Sequence, residues 1–164
     1  MANLTGLAAA RHKLMMDAGW DVESDGLFHG PELTVVLGEE AHVTVRKALG
    51  LLGLGRNRVI VVPSDGQGRI RPECLPPLSN RTILILQAGN VNSGSCDPFR
   101  TLCGAARDAG AWVHIDGAFG LWARVTAARE SLVDGMELAD SWATDAHKWL
   151  NVPYDCGLAL VRDA

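Results

Sequence analysis

The sequence has no apolar run near the ~18 residues of a membrane span, and no charged-then-apolar leader of the signal-peptide kind. It has no excess of basic side chains either. Fifteen Lys and Arg against nineteen Asp and Glu leave a net charge of −4, the wrong sign for displacing counterions from a nucleic acid. Membrane and nucleic-acid partners are therefore not expected. Repeats, low-complexity segments and charge runs are missing. None of the four cysteines (Cys74, Cys96, Cys103, Cys156) forms a C-x-x-C pair or a His/Cys spacing that suggests a metal. They read as small buried thiols in a reducing compartment, with the cytoplasm as the default address.

What is present is a chain of 164 residues, enough for about one domain, with 48% hydrophobic and 21% charged residues. Helical and strand-like segments alternate along it. Leu4, Leu7, Ala8, Leu14, Met15 and Ala18 recur at helical spacing, with Gly19 as a stop. Further helices are expected over 43–52 and from Asp97, as a cap, to about Ala109, with Pro98 at the first helical position. Strands are expected at 33–37, 58–62, 82–86, 112–116, 141–145 and 157–161. Strands joined through helices by short loops predict an α/β domain with a mainly parallel sheet. The unbroken apolar run Ile83-Leu84-Ile85-Leu86 fits a sheet covered on both faces. In such a fold ligands sit beyond the carboxyl ends of the strands, so the residues just after each strand carry the functional interest.

Three such segments stand out. In Trp112-Val113-His114-Ile115-Asp116-Gly117-Ala118, alternation places His114, Asp116 and Ala118 on one face. A carboxylate there is costly to bury unless a cation meets it. In Thr144-Asp145-Ala146-His147-Lys148-Trp149, a lysine follows a short strand among apolar neighbours, where desolvation favours the neutral, nucleophilic amine. In Gly38-Glu39-Glu40-Ala41-His42-Val43, a histidine marks a strand-to-helix junction. Each segment alone also fits an ordinary role: a loop-capping aspartate, a solvated lysine, a helix-entry histidine. The glycine-rich Gly50-Leu51-Leu52-Gly53-Leu54-Gly55 follows a helix, where a dinucleotide fingerprint follows a strand, and reads as helix termination.

Together, Ala41-His42 with Lys47-Ala48, Gln87-Ala88-Gly89-Asn90-Val91-Asn92-Ser93-Gly94, His114-Ile115-Asp116-Gly117-Ala118 and Asp145-Ala146-His147-Lys148 resemble the group II amino-acid decarboxylases among the fold type I pyridoxal-phosphate enzymes. The resemblance covers almost the whole chain. It implies the three-layer large domain of that fold, with six of its seven strands present and the 157–161 strand antiparallel at an exposed edge. It also implies pyridoxal 5'-phosphate as cofactor, a Schiff base on Lys148, and decarboxylation of an L-amino acid, a small-molecule substrate, to its amine. Asp116 would pair with the pyridine nitrogen. His42 would stack on the ring, with Ala118 supporting the opposite face. Ser93 stands where the family commonly has Thr, near the ring's 3-oxygen, and His147 would lie near the phosphate.

Asp145 stands where the family often has a phosphate-donating Asn, so it points elsewhere or a neighbour such as Thr144 donates. The resemblance further implies that the chain begins just past the phosphate-binding Gly-Gly-Ser/Thr cup and ends before the small carboxy-terminal domain. The full-length parent would be a homodimer, and the shorter chain weakly active or inactive alone. The same Lys148 and Asp116 would also serve an aminotransferase or a carbon–carbon lyase, and a non-catalytic remnant or assembly module is the remaining alternative.

Overall fold

Alternation along the strands decides which helix each side chain meets, and so builds two separate apolar layers. The computed structural model describes residues 1–163. Its strands are β1 (Thr34–Gly38), β2 (Ile60–Val62), β3 (Thr82–Gln87), β4 (Trp112–Asp116), β5 (Ser141–Asp145) and β6 (Gly157–Val161). The α-helices are α1 (Ala2–Asp17), α2 (Val22–Asp25), α3 (Val43–Leu51), α4 (Phe99–Asp108) and α5 (Ala146–Trp149), with short 3-10 turns between β4 and β5.

The strands form one sheet in the order β2-β1-β3-β4-β5-β6, parallel except for β6, which runs antiparallel to β5 at the edge. On one face Val35, Leu37, Ile83 and Ile85 pack against Leu7, Ala10 and Leu14 of α1 and Val45 and Leu49 of α3. On the other, Leu84, Leu86, Val113 and Ile115 meet Phe99, Leu102, Cys103 and Ala106 of α4. Fully burying one such Leu, Ile or Phe side chain contributes ~1.5–3 kcal/mol, so both layers are needed to hold the sheet. Helices on two faces of a mainly parallel sheet are the architecture expected from the sequence.

Two local expectations are corrected. The second strand starts at Ile60, not 58, because the Arg58 amide turns back to the Gly55 carbonyl at 3.3 Å. Asp97 does not cap α4: Pro98 occupies the N-cap position, with no side-chain capping bond. The Asp97 carboxylate instead accepts the Ile70 and Gln87 amides, each at 2.7 Å, and so ties the 64–70 turn to the end of β3. Burial pushes this carboxyl up to about 6, while both amide bonds pull the other way.

Candidate active site

The carboxyl ends of β3, β4 and β5 open into a cleft of about 450 Å³, closed on its other sides by the first turn of α1 and by α3. His42, Asp116, Ala118, Asp145, His147 and Lys148 all line it. Six residues spread over more than a hundred positions are thus brought to one place. Ser93 is not among the lining residues. It lies exposed in the loop after β3, where its hydroxyl donates to the Gln67 carbonyl at 2.6 Å and accepts the Ser95 amide at 3.2 Å. Thr144 is buried on the opposite side of β5 from Asp145, as strand alternation requires, and its hydroxyl has no hydrogen-bond partner among the described residues.

Asp116 ends β4 and is 5% exposed. Asn3 Nδ2 donates to its Oδ2 at 3.0 Å and the Ala118 amide to its Oδ1 at 3.2 Å. Burial raises the carboxyl above its ordinary value, and the bonds from Asn3 and Ala118 and the charge of His42 oppose that rise. Asn3 was not legible in the sequence. Neither periodicity nor spacing links it to Asp116, and it meets the carboxylate only because α1 crosses the sheet at this point.

His42 is the N-cap of α3, and its Nδ1 accepts the Thr44 amide at 3.4 Å and lies 2.8 Å from the Thr44 hydroxyl. The cap fixes the ring at the mouth of the cleft. His147 faces the Cys156 carbonyl through Nδ1 at 2.9 Å, and its ring packs against Tyr154 with centroids 5.0 Å apart.

Lys148 follows β5 on the single turn of α5. The residue is exposed overall, and its side chain is 27% accessible. Nζ lies 2.9 Å from Asp145 Oδ2 and 3.9 Å from the centre of the Phe119 ring. Asp145 is the N-cap residue of α5 but spends no side-chain bond on capping, which leaves its carboxylate for the lysine. Phe119 was likewise missed from sequence, since an aromatic after a strand reads as core.

An amine and a buried carboxylate on the walls of one cleft do not by themselves name a reaction. The profile of the pyridoxal-dependent decarboxylase conserved domain, however, matches residues 1–164. The chain belongs to that family. Aspartate 1-decarboxylase of Aliivibrio fischeri is 31% identical over 99% of this chain and 33% of its own length. Among solved structures, mouse CSAD superposes with a TM-score of 0.88 at 28% identity, over 99% of this chain and 36% of that one. Oryza sativa TDC, solved with PLP and tryptamine, gives a TM-score of 0.80 at 28% identity, covering 99% and 35%. The chain thus spans about a third of the length of the family members it matches. Among the described residues, no helix is long and apolar enough to cross a membrane.

Proposed function

We propose that this decarboxylase-family chain carries the Schiff-base lysine and the ring-nitrogen acid of an enzyme that decarboxylates an L-amino acid to its amine. The observation that carries the reading is the placement of Lys148 and Asp116 on the walls of one cleft. The chain's own groups suit pyridoxal phosphate. Asp116 is a buried carboxylate that burial outweighs its neighbours in raising, so a ring N–H is the partner it lacks. Lys148 is a partly shielded amine beside an aromatic face. The first turn of α1 lines the same cleft, and backbone amides there are suited to a phosphate.

When bound, pyridoxal phosphate supplies the aldehyde and the electron-withdrawing ring that carbanion chemistry needs. Lys148 offers the amine for that aldehyde. Asp116, oriented by Asn3 and the Ala118 amide, holds a proton at the ring nitrogen. His42, locked by its cap, offers a flat face at the cleft mouth, and Ala118 leaves the other side uncrowded. His147 and Asp145 are the remaining polar groups beside Lys148.

The same reading assigns the activity to a longer homodimeric parent in which this stretch is part of the large domain, working in the cytoplasm. All four cysteines are unpaired thiols, which supports a reducing compartment. The test is a product assay on the full-length parent with a panel of L-amino acids. Carbon dioxide and the matching amine are expected, and Lys148→Ala should abolish both. A keto acid or an aldehyde as the enzyme-dependent product would overturn the assignment.

A further inference from the structure

Behind Asp116 lies a line of hydrogen bonds that the cleft itself does not require. Trp112 Nε1 meets Ser141 Oγ at 2.9 Å, Ser141 Oγ meets His114 Nδ1 at 2.8 Å, and His114 Nε2 meets Asn3 Oδ1 at 3.0 Å. Asn3 Nδ2 then meets Asp116 Oδ2 at 3.0 Å. His114 and Ser141 are both fully buried at 0% exposure. Two ends and a neutral imidazole fix the direction. The indole N–H of Trp112 can only donate, and Asp116, in the ionised form that a ring N–H would pair with, can only accept. Ser141 therefore receives from Trp112 and gives its proton to His114 Nδ1. That leaves Nε2 as the protonated nitrogen, facing the Asn3 carbonyl, and turns the Asn3 amide toward Asp116. Each contact in the series then pairs one donor with one acceptor, all in one sense.

The surrounding packing enforces it. β4 pairs with β5 so that His114 lies opposite Ser141, and Gly6 of α1 gives the imidazole its space: a Cβ at Gly6 would stand 2.5 Å from His114 Cε1. Burial pushes the imidazole down to about 3, so the ring is neutral and one nitrogen is free to accept. With the ring neutral, Nε2 carries the proton that meets the Asn3 carbonyl and Nδ1 accepts from the Ser141 hydroxyl.

We propose that Trp112, Ser141, His114 and Asn3 form a one-way hydrogen-bond relay that positions Asp116 as an acceptor, with His114 as its central positioning residue. The functional side of this inference rests on the reading of Asp116 as the acid for the cofactor's ring nitrogen; the relay itself does not. If Ser141 loses its hydroxyl, Nδ1 has no donor, the imidazole is free to take the other tautomer, and Asn3 must rotate to meet it. The Asn3 carbonyl then faces Asp116, which must take up a proton to avoid two opposed acceptors. A neutral Asp116 no longer attracts a ring N–H.

Ring-nitrogen NMR at neutral pH on the cofactor-free chain tests the relay without reference to any reaction. The expected result is a neutral His114 protonated on Nε2, with Ser141→Ala changing its tautomer and Ser141→Thr, which keeps the hydroxyl, restoring it. A His114 that is protonated on Nδ1, or is charged, in the unmodified chain overturns the proposal. So does a Ser141→Ala spectrum like that of the parent sequence. Binding of pyridoxal phosphate, followed by absorbance, forms the second arm. Ser141→Ala should weaken it about tenfold, the scale of losing a bond to a charged group, with Ser141→Thr close to unmodified. Equal affinity in a folded Ser141→Ala chain overturns the functional half. Absence of cofactor binding in every chain would instead count against the assignment of Lys148, leaving the NMR result to decide the relay.

Discussion

Asn3 and Asp116 are joined side chain to side chain at 3.0 Å across 113 positions of sequence, one at the start of α1 and the other at the end of β4. The same amide serves His114 through its oxygen and reaches Thr44, the residue that fixes His42, at 3.4 Å. One side chain therefore couples the buried acid, the buried imidazole and the helix cap.

Asn3→Ala leaves His114 Nε2 without an acceptor and Asp116 with the Ala118 amide as its remaining donor. A buried polar group stripped of its partner costs ~1–3 kcal/mol, so the denaturant midpoint should fall by that equivalent. Asn3→Asp should be worse than Asn3→Ala, because it sets a second carboxylate against Asp116.

The stability of the chain should depend on pH through His114. Its folded value lies near 3, below the ordinary 6.5, so the neutral ring is favoured on folding. That contribution is complete above pH 6.5 and is lost as pH falls from 6.5 toward 3, at about 1.4 kcal/mol per pH unit. Asp97, pushed up to about 6 by burial, acts in the opposite sense over the same range. The slope should therefore be read as the difference between the unmodified chain and His114→Gln in denaturant melts between pH 7 and 5, with His114→Gln less stable at pH 7.

Gly6→Ala tests how closely α1 is pressed on the sheet. Alanine favours a helix over glycine by ~1 kcal/mol, but here the added methyl would meet the His114 ring at 2.5 Å. Overpacking of this kind costs ~1–3 kcal/mol, so a lower melting temperature and a disturbed His114 NMR signal are expected. An increase in melting temperature would show that α1 has room to spare.

The ion pair between Asp145 and Lys148 can be read out with a limiting amount of an acylating reagent on the cofactor-free chain. The sequence has three lysines, so Lys13 and Lys47 serve as internal references. Asp145→Asn should raise the labelling of Lys148 relative to Lys47 about fivefold, the scale of a partly exposed ion pair. An unchanged ratio would mean that the carboxylate does not hold the amine.

The sheet was legible because its strands are short apolar runs ended by glycine, proline or polar turns. The strands at 112–116, 141–145 and 157–161 were located to the residue. The helix start at Asp97 failed because capping propensity is local, whereas two backbone amides, 27 and 10 positions away, claimed the same carboxylate. In the site, His42 was marked by its place between strand and helix, and Asp116 and Lys148 by following strands. Asn3, Phe119 and the Ser141–His114 contact were hidden because each depends on how α1 or a neighbouring strand is laid against the sheet. Resemblance placed Ser93 near the cofactor, yet the loop after β3 folds its hydroxyl back onto the Gln67 carbonyl.

The central claim is that Lys148 is the amine that takes the cofactor. Incubating the chain with pyridoxal phosphate, reducing with borohydride and mapping the modified peptide by mass spectrometry tests it directly. The pyridoxyl group should be found on Lys148, and labelling there should fall sharply in Asp116→Ala. A label confined to Lys13 or Lys47, or none at all, would contradict the account.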